Sequence, residues 1–134
     1  MSRKITLSFR FLALGLLVSS MFAMGVSAKT VYFNATTLKS GYVSHSFPSD
    51  NSNGWSIAKG TSVKLSYTLG SSEKNVHYGL TRGSNGVYTK FATFNNASTS
   101  SKSKTINTAS RYKAAITNNT AGTISIKSSS YIQY

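Results

Sequence analysis

The chain has 134 residues, and its 15 basic and two acidic residues give a formal net charge of +13. This length leaves room for one small domain and excludes a second hydrophobic core. The chain contains no cysteine, so it must be stabilised by core packing alone, without disulfides.

Residues 1–28 have the pattern of a secretory signal sequence. Three basic residues occur within the first ten, residues 11–18 (FLALGLLV) form an apolar run, and residues 26–28 (VSA) are the small residues typical of a cleavage site. A retained membrane anchor is the alternative, but this run is short for a bilayer span of roughly 20 residues. We predict cleavage after Ala28, which makes residues 29–134 a single secreted domain.

The predicted mature chain has the composition and periodicity of an all-β protein. Ser and Thr make up 34 of its 106 residues, Glu occurs once, and no window places apolar residues at helical spacing. Short strands are predicted at residues 31–35, 41–47 and 55–57, with a polar loop at residues 49–54.

Residues 61–82 (TSVKLSYTLGSSEKNVHYGLTR) carry the clearest pattern of the chain. Val63, Leu65 and Tyr67 alternate with polar residues, and the alternation resumes at Val76 after a polar connection. The two halves predict a β-hairpin at the centre of the fold.

The second half of the chain predicts a turn, a long loop and further strands. Residues 82–86 (RGSNG) favour a tight turn, because Asn-Gly accepts the positive φ that hairpins require. Residues 87–94 (VYTKFATF) are apolar or aromatic on both faces and predict a strand with either a more central place or a partner on its second face. Residues 95–104 (NNASTSSKSK) predict a flexible loop. Further strands are predicted at residues 112–116, 124–126 and 131–134.

Residues 111–134 (RYKAAITNNTAGTISIKSSSYIQY) are similar to the last strands of small bacterial secreted β-sandwich modules. In such modules an aromatic strand, an Asn-rich turn and an alternating strand close the fold. The resemblance implies a fold and no activity. Together with about eight or nine short strands, it leads us to predict a small antiparallel β-sandwich of jelly-roll-like arrangement.

The charge indicates an anionic partner. Three basic residues lie in the predicted signal sequence, which leaves 12 basic and two acidic residues and a formal charge of +10 for the mature domain. An excess of this size repels itself and is therefore expected to serve binding to a polyanion. Teichoic acid, acidic polysaccharide, an anionic membrane surface and extracellular DNA remain open as that polyanion. Only two of the 12 basic residues are arginine, which favours diffuse attraction over specific recognition of nucleic acid.

Six lysines and three aromatic residues are the candidate contacts. Alternation along the predicted strands directs Lys64, Lys113 and Lys127 away from the core. Whether the lysines form one face or lie scattered over the surface stays open, because alternation does not assign a strand to a sheet. Trp55 is the first choice for aromatic contact, and a place at the rim of the core is its alternative. The candidate basic residues are Lys64, Lys90, Lys102, Lys104, Lys113 and Lys127, and the candidate aromatic residues are Trp55, Tyr42 and Tyr88.

The chain is poorly equipped for catalysis. Its two carboxylates, Asp50 and Glu73, lie in polar turns, and its two histidines, His45 and His77, show no metal-binding spacing. No G-x-S-x-G motif accompanies the many serines. We therefore expect no enzyme activity, no cofactor and no metal site.

These observations predict a secreted, non-enzymatic protein that binds an anionic polymer of the cell envelope or extracellular matrix. Such a protein would be either free outside the cell or associated with the cell wall. Two alternatives remain open. One is a secreted antibacterial or toxin-like protein that acts on the membranes of competitors. The other is a structural surface protein that self-associates through exposed strand edges.

Overall fold

A computed structural model describes residues 28–134, which fold into eleven β-strands and no helix. The predicted signal sequence, residues 1–28, lies outside the described residues except for Ala28. Within residues 28–134 there is no helical segment with the length and hydrophobicity to span a membrane. The strands are β1 (Thr30–Tyr32), β2 (Thr36–Leu38), β3 (Val43–Ser46), β4 (Trp55–Ile57), β5 (Ser62–Glu73), β6 (Val76–Arg82), β7 (Tyr88–Thr93), β8 (Ala97–Thr105), β9 (Ser110–Asn118), β10 (Ile124–Ile126) and β11 (Tyr131–Gln133).

The strands form two antiparallel sheets, which confirms the all-β, sandwich-like prediction. The six-stranded sheet is built around β5, which pairs with β8, β10 and β11, while β1 and β2 extend it at β11 and β10. The five-stranded sheet has the order β3-β9-β6-β7, and β4 pairs with the first residues of β9.

Alternating side chains of the two sheets make the core. Val63, Leu65 and Tyr67 of β5 are almost fully buried, as are Tyr78 and Leu80 of β6. The rings of Tyr67 and Tyr78 lie 5.2 Å apart between the sheets. Burial of such apolar side chains is the main term that stabilises a domain without disulfides.

The predicted hairpin at residues 61–82 is wrong. Both of its strands exist, but β5 and β6 belong to different sheets and share no ladder. The connection at Lys74 and Asn75, where Asn75 has a φ of 65°, crosses from one sheet to the other. A strand that faces the core from either sheet shows the same alternation, so periodicity did not separate a hairpin from a crossing connection.

The predicted loop at residues 95–104 is also wrong, because most of it forms β8. This strand pairs with β5 from Ser62 to Thr68. Its residues are polar because β8 is an edge strand with most side chains exposed, so no apolar pattern marks it. Together with β2, β8 raises the number of strands above the eight or nine that were predicted.

The strand predicted at residues 87–94 is an edge strand, not a central one, since β7 pairs only with β6. A shift of register between Tyr78 and Gly79 inserts an extra residue into β7. Phe91 and Phe94, three positions apart, are therefore both buried, and this explains the apolar residues on both predicted faces. The predicted turn at residues 82–86 is confirmed, and Gly86 has a φ of 68°.

Candidate functional site

The outer surface of the five-stranded sheet carries two histidines, two lysines and a tyrosine. The registers place His45, Ala115, Gly79 and Lys90 next to one another across β3, β9, β6 and β7. The small residues in the middle make a shallow floor, and larger side chains rise around it. We call this surface the histidine face, formed by His45, His77, Gly79, Tyr88, Lys90, Lys113 and Ala115.

Tyr88 is fixed across this surface by His77. A hydrogen bond of 2.8 Å joins Tyr88 Oη to His77 Nδ1, and the two ring centroids lie 5.6 Å apart. Tyr88 pairs with Thr81 of β6, and Gly79 lies between Thr81 and His77 on that strand. The Tyr88 ring therefore reaches His77 by passing over Gly79, which has no side chain. A Cβ at Gly79 would collide with the carbonyl oxygen of Thr89, so glycine is required at this position opposite the register shift of β7.

The histidine face contains an open trough of about 480 Å³. Its lining is mostly apolar, with polar groups from both histidines, Tyr88 and Lys113. An aromatic ring beside a cationic group in a shallow groove suits a ligand with flat apolar faces and negative charge, such as an acidic sugar chain.

The two histidines are neutral at pH 7. Burial, and to a smaller extent the charge of Lys113, lowers the pKa of His45. Burial and then Lys90 lower the pKa of His77 in the same way. Burial also raises the pKa of Tyr88 to about 12, so its phenol stays uncharged. The positive charge of the face at pH 7 therefore comes from its two lysines.

Neither acidic residue neutralises the histidine face. Glu73 is at the end of β5, where one of its carboxylate oxygens accepts a hydrogen bond of 3.0 Å from Ser71 Oγ. Asp50 lies in the turn that precedes β4. Neither of them lines the trough.

A second basic group lies where the edge strands of the two sheets meet. Lys104 Nζ of β8 donates a hydrogen bond of 3.0 Å to the carbonyl oxygen of Lys90 in β7 and lies 5.9 Å from the centroid of the Phe91 ring. A hydrogen bond of 2.8 Å between Tyr78 Oη and Ser100 Oγ also spans the sheets here. We call this edge the seam, formed by Phe91 of β7 with Ser100, Lys102 and Lys104 of β8.

Lys102 and Lys104 therefore lie on an ordered strand and not on the mobile loop that was predicted. Ser101 Oγ donates to Ser66 Oγ on the outer face of the six-stranded sheet, at 2.7 Å. Because side chains alternate along β8, Lys102 and Lys104 lie on its opposite face, towards the open edge of the sandwich.

The structure brings together four of the six candidate lysines. Lys90 and Lys113 lie on the histidine face, and the backbone carbonyl of Lys90 accepts the hydrogen bond from Lys104, which shares one face of β8 with Lys102. Lys64 and Lys127 belong to strands and turns of the six-stranded sheet, where Lys64 Nζ lies 5.8 Å from the Tyr131 ring centroid. The candidate lysines thus occupy two separate regions.

The three candidate aromatic residues differ in exposure. Trp55 is only 5% exposed and packs near Phe33 and Tyr134, with ring centroids 6.2 and 6.5 Å away. Tyr42 is exposed in the turn before β3. Tyr88, which is 37% exposed, is the one that shares a surface with candidate lysines.

Sequence reasoning did not select His45 and His77 as members of this surface. Alternation along β3 and β6 places each on an outward position, but their common face follows only from the registers with β9. Within residues 28–134, no three His, Cys, Asp or Glu side chains are grouped closely enough to hold a metal ion.

Comparison of the chain with models of known protein families gives no match, and comparison with curated proteins gives none either.

Proposed function

We propose that this chain is a secreted, non-enzymatic protein of jelly-roll-like architecture that binds an anionic polymer through the histidine face and the adjoining seam. The polymer would be a component of the cell envelope or extracellular matrix, such as teichoic acid or an acidic polysaccharide. Cleavage of residues 1–28 would deliver the domain to that location.

The observation that carries this proposal is the placement of Tyr88, Lys90 and Lys113 on one surface, whose trough no carboxylate lines. Lysines attract a polyanion over a distance set by salt, and they do not require one fixed ligand geometry. The Tyr88 ring, held by His77, adds a rigid apolar plane on which a sugar ring can stack. Charge would therefore bring the polymer to the face, and Tyr88 would orient it.

Binding to an anionic membrane surface is a second candidate, because exposed apolar side chains surround the same sheet. Val43 and Phe47 lie at β3, and Val87 and Tyr88 lie at the start of β7, all at least 37% exposed. Apolar side chains beside basic ones are typical of peripheral membrane binding. This candidate predicts release of dye from anionic vesicles, which the polymer proposal does not.

The test compares binding of the mature chain to teichoic acid, polygalacturonate, neutral dextran and anionic vesicles. We expect saturable binding to at least one anionic polymer, release of the protein by salt, and no binding to dextran. Tyr88→Phe keeps the ring but loses its bond to His77, so it should weaken binding less than Tyr88→Ala, which should weaken it several-fold. Equal binding to dextran, or binding to vesicles alone, would refute the polymer proposal.

A further inference from the structure

A separate cavity of about 270 Å³ opens at the seam, on the core side of the five-stranded sheet and thus on the side opposite to the histidine face. Its floor is made by apolar side chains that include Phe91 and Tyr112, and its polar groups come from two basic residues, three threonines and an asparagine. The polar lining residues are Arg82, Lys104, Thr89, Thr105, Asn107 and Thr108.

Arg82 is placed in this cavity by the alternation of β6. Tyr78 and Leu80 of β6 face the core, and Arg82 continues that row at the end of the strand. Its Nε atom is buried, and no acceptor among residues 28–134 takes a hydrogen bond from it. A buried guanidinium N–H without an acceptor is costly to a folded protein, so a ligand acceptor is the natural partner for it.

Lys104, which lines the same cavity, has N–H donors beyond the one that bonds to Lys90. Its ammonium group has three N–H bonds, and one is used for the carbonyl oxygen of Lys90. Glu73 bonds to Ser71, and Asp50 lies before β4, so neither carboxylate lines the cavity. Two cationic side chains therefore face one small space without an internal anion.

We propose that the seam cavity binds one oxyanion group, a carboxylate or a phosphate, between Arg82 and Lys104. The planar guanidinium of Arg82 can donate two parallel N–H bonds to such a group, and the ammonium of Lys104 can donate a further N–H bond from another direction. Threonine hydroxyls and Asn107 can bond to neighbouring hydroxyl groups, while Phe91 and Tyr112 offer an apolar floor to a sugar ring.

The volume limits the ligand to one small unit, since pockets for larger organic ligands begin at roughly 300 Å³. The cavity would thus take a single acidic sugar or a single phosphate with its attached carbon chain. This proposal depends on the proposed function at one point only, namely that the acidic unit in the cavity belongs to the polymer bound on the histidine face. Binding of the free acid in the cavity stands without it.

The test uses the side-chain Nε–H signals of the arginines in the ¹⁵N-labelled mature chain. Sodium glucuronate and glycerol 3-phosphate are added in separate titrations, and glucose serves as the neutral probe. Arg111 is the internal control, because it lies outside the cavity and its guanidinium donates to the carbonyl oxygen of Gly54 at 2.9 Å. We expect a saturable shift of the Arg82 signal with one or both acids and none with glucose.

The two acids separate the sources of the oxyanion. Saturation by glucuronate alone indicates an acidic polysaccharide, and saturation by glycerol 3-phosphate alone indicates a teichoic acid or a lipid headgroup. Arg82→Lys keeps the positive charge but removes the two parallel N–H donors of the guanidinium. It should therefore weaken binding of the acid that saturates the wild type at least tenfold. An unshifted Arg82 signal, or equal unsaturated shifts of Arg82 and Arg111, would overturn the proposal.

Failure of this site and failure of the proposed function give different results. If the polymer binds while the Arg82 signal stays in place with both acids, the seam site is wrong and the histidine face remains the binding surface. If the acids bind at Arg82 but no polymer does, the seam site is correct and the proposed function is wrong.

Discussion

Lys104 Nζ donates a hydrogen bond of 3.0 Å to the carbonyl oxygen of Lys90, and this bond joins the edge strands of the two sheets. Edge strands expose unpaired backbone groups to other chains, and inward-pointing charged residues are one means of preventing such pairing. Lys104 is such an inward-pointing charged residue on the edge strand β8, and its hydrogen-bond partner, Lys90, lies on the edge strand β7. The seam therefore gives no support to self-association by addition of strands at this edge.

Replacement of Lys104 by alanine should lower the free energy of unfolding by about 1 kcal/mol, because it removes the bond to Lys90 and the contact with Phe91. Urea unfolding of both proteins measures the difference. Lys102→Ala is the matched control, since it removes the same charge from the same face of β8 and should have a smaller effect. Equal losses in the two variants would contradict a specific role for Lys104.

Asn118→Asp should destabilise the fold by about 2 to 4 kcal/mol. Asn118 is fully buried, and its Nδ2 donates to the carbonyl oxygens of Leu38 and Gly122, at 2.9 and 2.8 Å. Its Oδ1 accepts hydrogen bonds from the backbone N and the hydroxyl of Thr120. A carboxylate would lose both donors and face two carbonyl oxygens. Thermal unfolding measures the loss, and Asn119→Asp at the exposed neighbouring position should unfold close to the wild type.

The sequence was sufficient for the strands that alternate, and insufficient for their assignment to sheets. The pattern at Val63, Leu65 and Tyr67 predicted β5 correctly, but partners of a strand depend on long-range registers that alternation does not encode. β8 was missed because an exposed edge strand needs no apolar residues.

The candidate surface was predictable only in part, for the same reason. Outward positions for Lys64, Lys113 and Lys127 follow from alternation, whereas the neighbourhood of Lys113, Tyr88 and His77 requires the pairing of β9, β6 and β7. The burial of Trp55 depends on side chains from Phe33 and Tyr134, which are distant in the chain.

Stability should fall as the pH is lowered through the range in which histidine titrates. Burial lowers the pKa of His45 and of His77 in the folded state below the ordinary value of 6.5. The unfolded chain therefore binds protons first, and the stability present above about pH 6.5 is lost as the pH falls. Urea midpoints between about pH 7 and pH 5 measure this loss. The double variant His45→Asn, His77→Asn should show a flatter dependence of the urea midpoint on pH. A dependence equal to that of the wild type would contradict the attribution of this loss to the two histidines.

Affinity for an anionic polymer should change with pH in the opposite direction. A bound polyanion on the histidine face favours the protonated imidazoles, so each histidine that gains a proton adds a positive charge beside the ligand. The dissociation constant should fall several-fold from about pH 7 to about pH 5. The same histidine double variant should lose most of this pH dependence. An unchanged pH response would show that the polymer binds elsewhere.

The salt dependence of polymer binding tests the central claim most directly. The dissociation constant for one anionic polymer is measured over a salt series for three proteins, namely the wild type, Lys90→Gln with Lys113→Gln, and Lys64→Gln with Lys127→Gln. The two double variants lose equal charge from different regions of the surface. We predict that the first variant lowers the log–log salt slope by about 1 to 2, whereas the second leaves it close to the wild type. An equal or larger loss of slope in the second variant would contradict binding at the histidine face.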